Sequence, residues 1–146
     1  MARDPMIEEV AGAVQASVRL LVQRLRQTET IEGEPTSAEM SAMSRLDRTG
    51  PTTSADLARL ERISPQSMGA TVAALEERGV VERAADPDDG RRSILSLTVE
   101  GRALLQRRRS ARSELLSNAL ESEFTRAELK QLQAAAPLIE RLAEHL

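Results

Sequence analysis

The chain has 146 residues, enough for one domain around a single hydrophobic core, and its 40% hydrophobic and 29% charged residues are typical of a globular protein. The absence of cysteine excludes disulfides, thiolate metal sites and thiol redox sensing, and a single histidine, His145, argues against a histidine-built metal site or general base. The net charge is −3, but residues 78–112 hold nine arginines against five acids, and such a basic island indicates a localised anionic contact.

The first third of the chain predicts two helices. Apolar residues at i, i+3 and i+4 spacing predict an amphipathic helix over residues 5–28. An acidic loop with Gly33 ends it. Thr36 and Glu39 then form the capping box of a second helix, which we expect to run to about Asp47.

Two further helices follow in close succession. Thr53 is the predicted cap of a short helix that stops at Ile63. The chain starts a new helix at once, with Ser64 as N-cap and Pro65 at the first helical position, and Gly79 terminates it. This spacing predicts a helix-turn-helix.

A β-hairpin is predicted next. Residues 80–84 and 92–98 are the strand candidates, and Asp89-Gly90 between them is a common two-residue hairpin turn, because both residue types tolerate positive φ. Thr98 is then expected to cap a long helix.

The C-terminal third predicts two striped helices. The long helix after Thr98 carries a row of leucines, and a capping box at Thr125 and Glu128 opens the last helix. The stripes are too long for so small a centre to cover, so we expect them to pack on each other and on a second copy of the chain.

The predicted fold is mainly α with a small β-hairpin wing. We expect a single domain over residues 1–146, with a winged helix-turn-helix lobe at 34–102 and dimerisation helices at 1–33 and 103–146.

The helix that starts at Pro65 has two chemically different faces. Met68, Val72 and Leu75 share one face and are expected to pack inward. In a helix-turn-helix the second helix enters the major groove, and its first residues meet base edges. The face left outside is small and uncharged: Gln66, Ser67, Ala70, Thr71 and Ala74. The alternative is a plain core helix whose outer face meets water, although such a face usually carries more Lys and Glu.

The hairpin tip completes this prediction. An arginine at a wing tip can enter the minor groove, where the potential is most negative. Asp89-Gly90-Arg91 supplies an orienting acid, a turn glycine and that arginine. Asp86 and Asp88 either brace Arg92 or Arg83 or act only as solvated turn formers, and Asp-Gly turns flanked by charges also occur in hairpins of every function.

The segment SPQSMGATVAALEERGVVERAADPDDGRRSILSLTVEGRALL, residues 64–105, resembles the recognition helix and wing of the MarR (multiple-antibiotic-resistance regulator) family of winged-helix repressors. The Leu-Glu-x-x-Gly step at Leu75–Gly79 matches, as does the Asp-x-Arg wing at Asp89–Arg91, with Thr98 following. The flanking helices fit in length and pattern. The resemblance implies an obligate homodimer that binds a pseudo-palindromic double-stranded DNA operator.

The resemblance also assigns roles to residues. Arg91 falls on the family's minor-groove arginine and Asp89 on its partner acid. One departure is that many members carry arginine where this chain has Ala70. The residues that we expect to contact DNA are Ser64, Pro65, Gln66, Ser67, Ala70, Thr71, Asp89, Arg91 and Arg92.

Arginines of the long helix leave two alternatives open. The leucine stripe places Arg108 and Arg112 on or beside the apolar side, where they either snorkel and pair with acids of a facing helix or line a pocket for a small anionic effector. The residues alone favour snorkelling and pairing, while the resemblance implies the pocket, since family members often release DNA when a small aromatic acid or similar anion binds there.

Other function classes have weaker support. The sequence lacks a Gly-rich phosphate loop, a nucleophile–base pair and a metal cluster, so we expect no enzyme activity and no cofactor. No apolar run approaches ~20 residues and no signal-peptide core is present, so we expect a cytoplasmic protein without a membrane partner. A winged-helix module for protein contacts, without DNA binding, is the alternative to a transcriptional regulator.

Overall fold

The structure, a computed structural model, describes residues 3–27 and 33–146. It contains six helices and a two-stranded antiparallel sheet among these residues. In chain order the elements are α1 (Pro5–Gln27), α2 (Ser37–Thr49), α3 (Ser54–Glu61), α4 (Pro65–Glu77), β1 (Val81–Ala85), β2 (Ser93–Leu97), α5 (Val99–Glu123) and α6 (Arg126–Glu144). The mainly helical fold with a hairpin is therefore confirmed.

The predicted capping boxes are both present. At the start of α2 the Glu39 N–H donates to Thr36 Oγ1 at 3.2 Å, and the Thr36 N–H donates to Glu39 Oε2 at 2.9 Å. At the start of α6 the Glu128 N–H donates to Thr125 Oγ1 at 3.2 Å, and the Thr125 N–H donates to Glu128 Oε2 at 2.8 Å. Each box satisfies backbone donors that the helix itself leaves without acceptors.

The turn of the helix-turn-helix depends on a left-handed residue. Arg62, after the last residue of α3, has φ 55° and ψ 42°, and its N–H bonds back to the last turn of that helix. The Ile63 N–H then donates to Ala58 O at 3.1 Å. This αL residue follows the end of α3 at Glu61, two residues before the predicted stop at Ile63.

The hydrophobic core lies between α2, α3, α4 and the hairpin. These elements contact one another, and the β2 edge extends to Thr52 by an isolated antiparallel bridge with Leu95. Six side chains are the largest that are fully buried: Met43, Leu57, Met68, Val72, Leu75 and Leu95. The burial of one face of α4 confirms the predicted inward stripe.

The hairpin differs from its prediction at the turn. The strands pair from Val81↔Leu97 to Ala85↔Ser93, which leaves residues 86–92 as the loop. Neither Asp89 nor Gly90 has positive φ. The predicted two-residue turn at Asp89-Gly90 is therefore wrong, and the loop is longer because its aspartates bond to its own backbone.

A close backbone approach fixes the start of α5. Thr98 Oγ1 donates to Gly79 O at 2.7 Å and accepts from the Gly101 N–H at 3.0 Å, so it caps α5 as predicted and also holds the end of α4. A Cβ at Gly101 would collide with the carbonyl oxygen of Val80. Only glycine permits this contact between α5 and the start of the hairpin.

Contacts divide the chain into two compact units, Met1–Leu105 and Gln106–Leu146. Within the described residues, α1 and α6 fully bury no side chain, and most of their large apolar residues are exposed. No helix in the described ranges has the length and apolar character needed to cross a bilayer.

Candidate nucleic-acid interface

The N-terminal turn of α4 is tightly built. Ser64 Oγ accepts from the Ser67 N–H at 3.1 Å and donates to Ser67 Oγ at 2.9 Å. Pro65 occupies the first helical turn, where its missing N–H costs nothing. Since Ser67 Oγ accepts from Ser64, its own hydroxyl hydrogen is left to donate outward, to a base or phosphate oxygen.

The outer face of α4 is chemically suited to a groove. Gln66, Ser67 and Ala70 are exposed, whereas Thr71 is half-buried at the edge of the face. Ala74, also expected to face outward, is likewise half-buried. The first turn of α4 contains no acidic residue, so its positive dipole end is not neutralised and favours a phosphate.

The wing tip is organised by its aspartates. Asp89 Oδ1 accepts from the Arg91 N–H at 3.1 Å, and Asp86 Oδ1 accepts from the Asp88 N–H at 2.9 Å. The Arg92 N–H donates to Asp89 O at 3.0 Å, and the Asp86 N–H to Arg92 O at 2.9 Å. Asp86 and Asp89 thus fix the loop backbone, and Asp89 bonds to the main chain of Arg91 where we expected it to hold the guanidinium. Arg91 and Arg92 are both exposed.

Two ion pairs brace the wing against the helices. Arg83 in β1 donates from Nε and Nη2 to Glu76 Oε1 of α4, at 3.1 and 2.7 Å. Arg92 Nη2 lies 3.8 Å from Asp56 Oδ2 in α3. Arg83 therefore pairs with an acid of α4, not with the aspartates of the loop that were considered for it.

Asp56 is shared between two arginines. Besides Arg92 it pairs with Arg59 one turn later in α3, and its own N–H is bonded to the cap Thr53. Arg92 is 54% exposed, so its pairing is screened by water and costs little to exchange for a phosphate. The structure thus allows Arg92 either role, brace or phosphate contact.

The predicted DNA-contacting residues form two groups of one compact unit. Ser64, Pro65, Gln66, Ser67, Ala70 and Thr71 lie on the first two turns of α4 and its cap, and Asp89, Arg91 and Arg92 lie on the wing loop. α4 packs directly on β1. α4 and the base of the wing are therefore in direct contact within one compact unit.

The two candidate effector residues belong to the second compact unit. Arg108 is half-buried and Arg112 is exposed, both in the part of α5 that belongs to the second unit. A cavity of about 520 Å³ in that unit is lined by Leu120, Arg126, Leu129, Lys130, Leu132 and Gln133, and does not include them. Among the described residues no group of His, Cys, Asp and Glu could hold a metal ion.

Four interactions of this lobe were not predicted from the sequence. The Glu76–Arg83 pair, the αL conformation of Arg62, the Gly101 contact and the pairing of Arg78 with Glu39 all require the folded chain. The only signal for the first was the opposite charge of residues on either side of the Gly79 turn.

A helix-turn-helix whose second helix has a small, uncharged exposed face, followed by an arginine-tipped hairpin, defines a winged-helix DNA-binding protein. Known proteins agree. The sequence model of the MarR family matches residues 36–93. An HTH-type transcriptional regulator of Mycobacterium tuberculosis is 36% identical over 107 residues, which are 73% of this chain and 74% of the relative. The chain belongs to the MarR family and is a DNA-binding transcriptional regulator.

Further relatives agree with this assignment. An HTH-type transcriptional repressor of Mycobacterium tuberculosis is 36% identical over 72 residues, which are 49% of this chain and 52% of the relative. A crystal structure of a Pseudomonas aeruginosa protein described as a transcriptional regulator is 28% identical, with a TM-score of 0.85 over 97% of this chain and 98% of that one. A MarR family protein from Bacillus stearothermophilus has the same fold, with a TM-score of 0.79 at 19% identity, over 99% of both chains.

Proposed function

We propose that the protein is a ligand-responsive repressor that binds a pseudo-palindromic operator as a homodimer. In this proposal α4 reads bases in the major groove and the wing inserts Arg91 into the minor groove. The observation that carries it is the division of α4 into a buried apolar face and an exposed face of small uncharged side chains.

Base reading is assigned to the exposed side chains of α4. Gln66 can make a two-pronged hydrogen bond to adenine, and the Ser67 hydroxyl can donate to an acceptor of a base edge. Thr71, at the edge of the face, presents a methyl group and a hydroxyl. Ala70 leaves room for close approach of the groove but supplies no hydrogen bond, so fewer residues carry the sequence preference.

The homodimer is supported by the exposed apolar stripes of the outer helices. In α1, Ile7, Val10 and Leu21 are each at least half exposed. In α6, Leu138 is 56% exposed and Leu142 is 46% exposed. Helices with such stripes are stable in water when the stripes are covered, and a second copy of the chain is the partner that the family fold favours.

The repressor assignment is supported by the relative named as a repressor. A protein that acts on chromosomal DNA works where the chromosome lies, so we place it in the cytoplasm.

A small anionic effector is assigned to Arg108 and Arg112, because Arg108 is half-buried on the leucine-rich helix. If benzoate, as the probe, leaves operator affinity unchanged at every concentration tested, this assignment is wrong for aromatic acids.

The operator can be identified by selecting fragments of the host genome with the purified protein. The Gln66→Ala and Thr71→Ala variants should then lose preference at particular operator positions while non-specific affinity stays the same, because base contacts and not phosphate contacts carry the sequence information. Arg107→Ala, which removes an exposed arginine of α5, is the control and should leave the profile unchanged.

An unchanged profile for both α4 variants would show that the reading face is misassigned. Absence of any selected sequence with the wild-type protein would contradict the operator proposal as a whole.

A further inference from the structure

A buried carboxylate lies beneath the C-terminal end of α4. The side chain of Glu39 is only 10% exposed, and Glu39 is one of two buried polar or charged residues among those the structure describes. Its role in the capping box does not require burial, since Glu128 makes the same box at the start of α6 and is exposed. A buried carboxylate is costly unless a cation and hydrogen bonds compensate it.

The compensating cation is Arg78. Its Nε lies 3.3 Å from Glu39 Oε2, the oxygen that also accepts from the Thr36 N–H. Its Nη1 donates to Gly33 O at 2.7 Å, and its Nη2 donates to Glu34 O at 3.4 Å. All three guanidinium nitrogens are thus directed at the segment 33–39, which leads into α2. We call this set of contacts the Arg78 latch.

The latch holds one end of the helix whose other end reads DNA. Arg78 is the C-cap of α4, and its N–H still bonds to Ala74 O. Two residues earlier in α4, Glu76 forms an ion pair with Arg83 of β1. The C-terminal end of α4 is therefore fixed to the wing by one ion pair and to segment 33–39 by the other, and a rotation at this end displaces Gln66 and Ser67 at the opposite end.

We propose that Arg78 is a positioning residue for operator recognition, which orients α4 through the latch so that the conformation of segment 33–39 sets operator affinity. This inference rests on the proposed function, because it takes α4 as the reading helix. The guanidinium is directed at protein acceptors, so Arg78 acts through α4 and not by touching DNA.

The test compares Arg78→Gln, Glu39→Gln and the double variant in the full-length chain. Glu39→Gln keeps an oxygen that can accept from Thr36, so the helix cap survives while the charge is lost. Fluorescence anisotropy gives the affinity for the selected operator and for a scrambled duplex, over a range of salt concentrations. Arg48→Gln, an exposed arginine at the end of α2, is the matched control.

Each single variant should lower operator affinity about tenfold, equivalent to one well-placed base contact, and leave scrambled-duplex affinity and the salt dependence unchanged. The double variant should be no worse than the weaker-binding single variant, because both changes break the same contact. Arg78→Lys should bind as weakly as Arg78→Gln, since Lys keeps the charge but its single nitrogen cannot reach the three acceptors that the separate guanidinium nitrogens of Arg78 contact.

Three results would overturn the proposal. Suppose that Arg78→Lys binds the operator with wild-type affinity and that Arg78→Gln has a shallower salt dependence than the wild type. Arg78 would then contact a phosphate directly. An equal loss of affinity for operator and scrambled duplex would indicate a role in folding only. Additive losses of operator affinity in the double variant would show that Arg78 and Glu39 act independently. If the wild type has an operator preference that Arg78→Gln retains, only this inference fails; if the wild type has none, the proposed function fails with it.

Discussion

At the scale of single residues, the aspartates of the wing loop fix the backbone that carries Arg91. Asp89 holds the backbone N–H of Arg91, and Asp86 holds that of Asp88, so the loop is ordered by hydrogen bonds within itself. Fixing the backbone limits where the Arg91 side chain starts, while the guanidinium stays available for DNA. In the proposed DNA complex, this arrangement would lower the ordering cost of binding without engaging the guanidinium.

Removing the wing arginine gives a direct prediction. Arg91→Ala should weaken operator binding by about 1–3 kcal/mol, as for other base-edge arginines, and leave the assembly state unchanged. A fluorescence titration with the selected operator measures the affinity, and sedimentation checks the assembly. Equal affinities of the wild type and Arg91→Ala would remove the wing from the mechanism.

Substitutions at Asp89 distinguish two roles for its carboxylate, which either fixes the loop backbone or orients the Arg91 guanidinium directly. Asp89→Asn keeps an acceptor for the Arg91 N–H, so the loop geometry predicts affinity at or above that of the wild type, since a negative charge near DNA is also lost. Asp89→Ala should lower affinity, but less than Arg91→Ala. A loss with Asp89→Asn as large as with Asp89→Ala would instead support direct orientation of the guanidinium by the carboxylate.

At the scale of elements, local chemistry explains why the helices were predictable. Thr36, Thr53, Ser64 and Thr125 each accept a backbone N–H at the start of a helix, a bond between near neighbours that the sequence displays directly. The turn of the hairpin was not predictable in the same way. Asp-Gly is compatible with a two-residue turn, but Asp86 and Asp89 of the loop each bind a backbone N–H two residues further on.

Contacts distant in sequence were beyond prediction for a related reason. The Arg78 latch joins residues 45 positions apart, and nothing in the local pattern indicates that the carbonyl of Gly33 meets that guanidinium. For the candidate site, the residue types of α4 were sufficient to predict that Gln66, Ser67 and Ala70 are exposed, whereas their contact with a DNA groove stays a prediction. The ion pairs that orient that surface depend on how α2, α4 and β1 pack, which the sequence of any one element does not contain.

The contact at Gly101 makes a prediction for the junction of elements. A Cβ there would lie only 3.1 Å from the Val80 carbonyl carbon and 3.3 Å from Leu97 Cδ2, besides colliding with the Val80 oxygen. We expect Gly101→Ala to lower the free energy of unfolding by about 1–3 kcal/mol, since α5 or the hairpin must shift. Urea denaturation at a fixed protein concentration measures this change.

A second glycine supplies the control for that measurement. A Cβ at Gly69 in α4 meets no atom within 4 Å, so Gly69→Ala should raise the free energy of unfolding by about 0.5–1 kcal/mol through helix propensity. A Gly101→Ala protein as stable as the wild type would mean that the junction adjusts without cost.

At the scale of the whole molecule, the distribution of apolar surface separates two kinds of element. The helix-turn-helix and hairpin bury most of their large apolar side chains, with Leu60 and Ile63 exposed, whereas α1 and α6 bury none among the described residues. The lobe formed by the helix-turn-helix and hairpin has its own hydrophobic core, so it can fold without a partner. Helices that leave their stripes in water instead require a partner, which is why the assembly and the DNA mechanism are linked in the proposed function.

Deleting residues 123–146 tests that link. A two-fold dimer places its reading helices about one turn of DNA apart, ~34 Å, so that each reads one half-site. One copy alone offers a short helix and one wing, too few contacts to exceed non-specific binding by far. We expect the truncated chain to aggregate, or to be a monomer whose operator affinity is close to its affinity for a scrambled duplex.

Sedimentation and anisotropy measured on the same sample distinguish these outcomes. A less drastic variant, Leu138→Glu, places a charge on the exposed stripe of α6 without removing the helix, and it should weaken assembly while leaving the separate winged-helix unit folded. If the dimer provides the spacing between the two α4 helices, the apparent operator affinity of this variant should rise with protein concentration, because a higher concentration restores assembly. A truncated chain that sediments as a monomer and binds a palindromic operator as tightly as the full-length protein would contradict the dimer architecture.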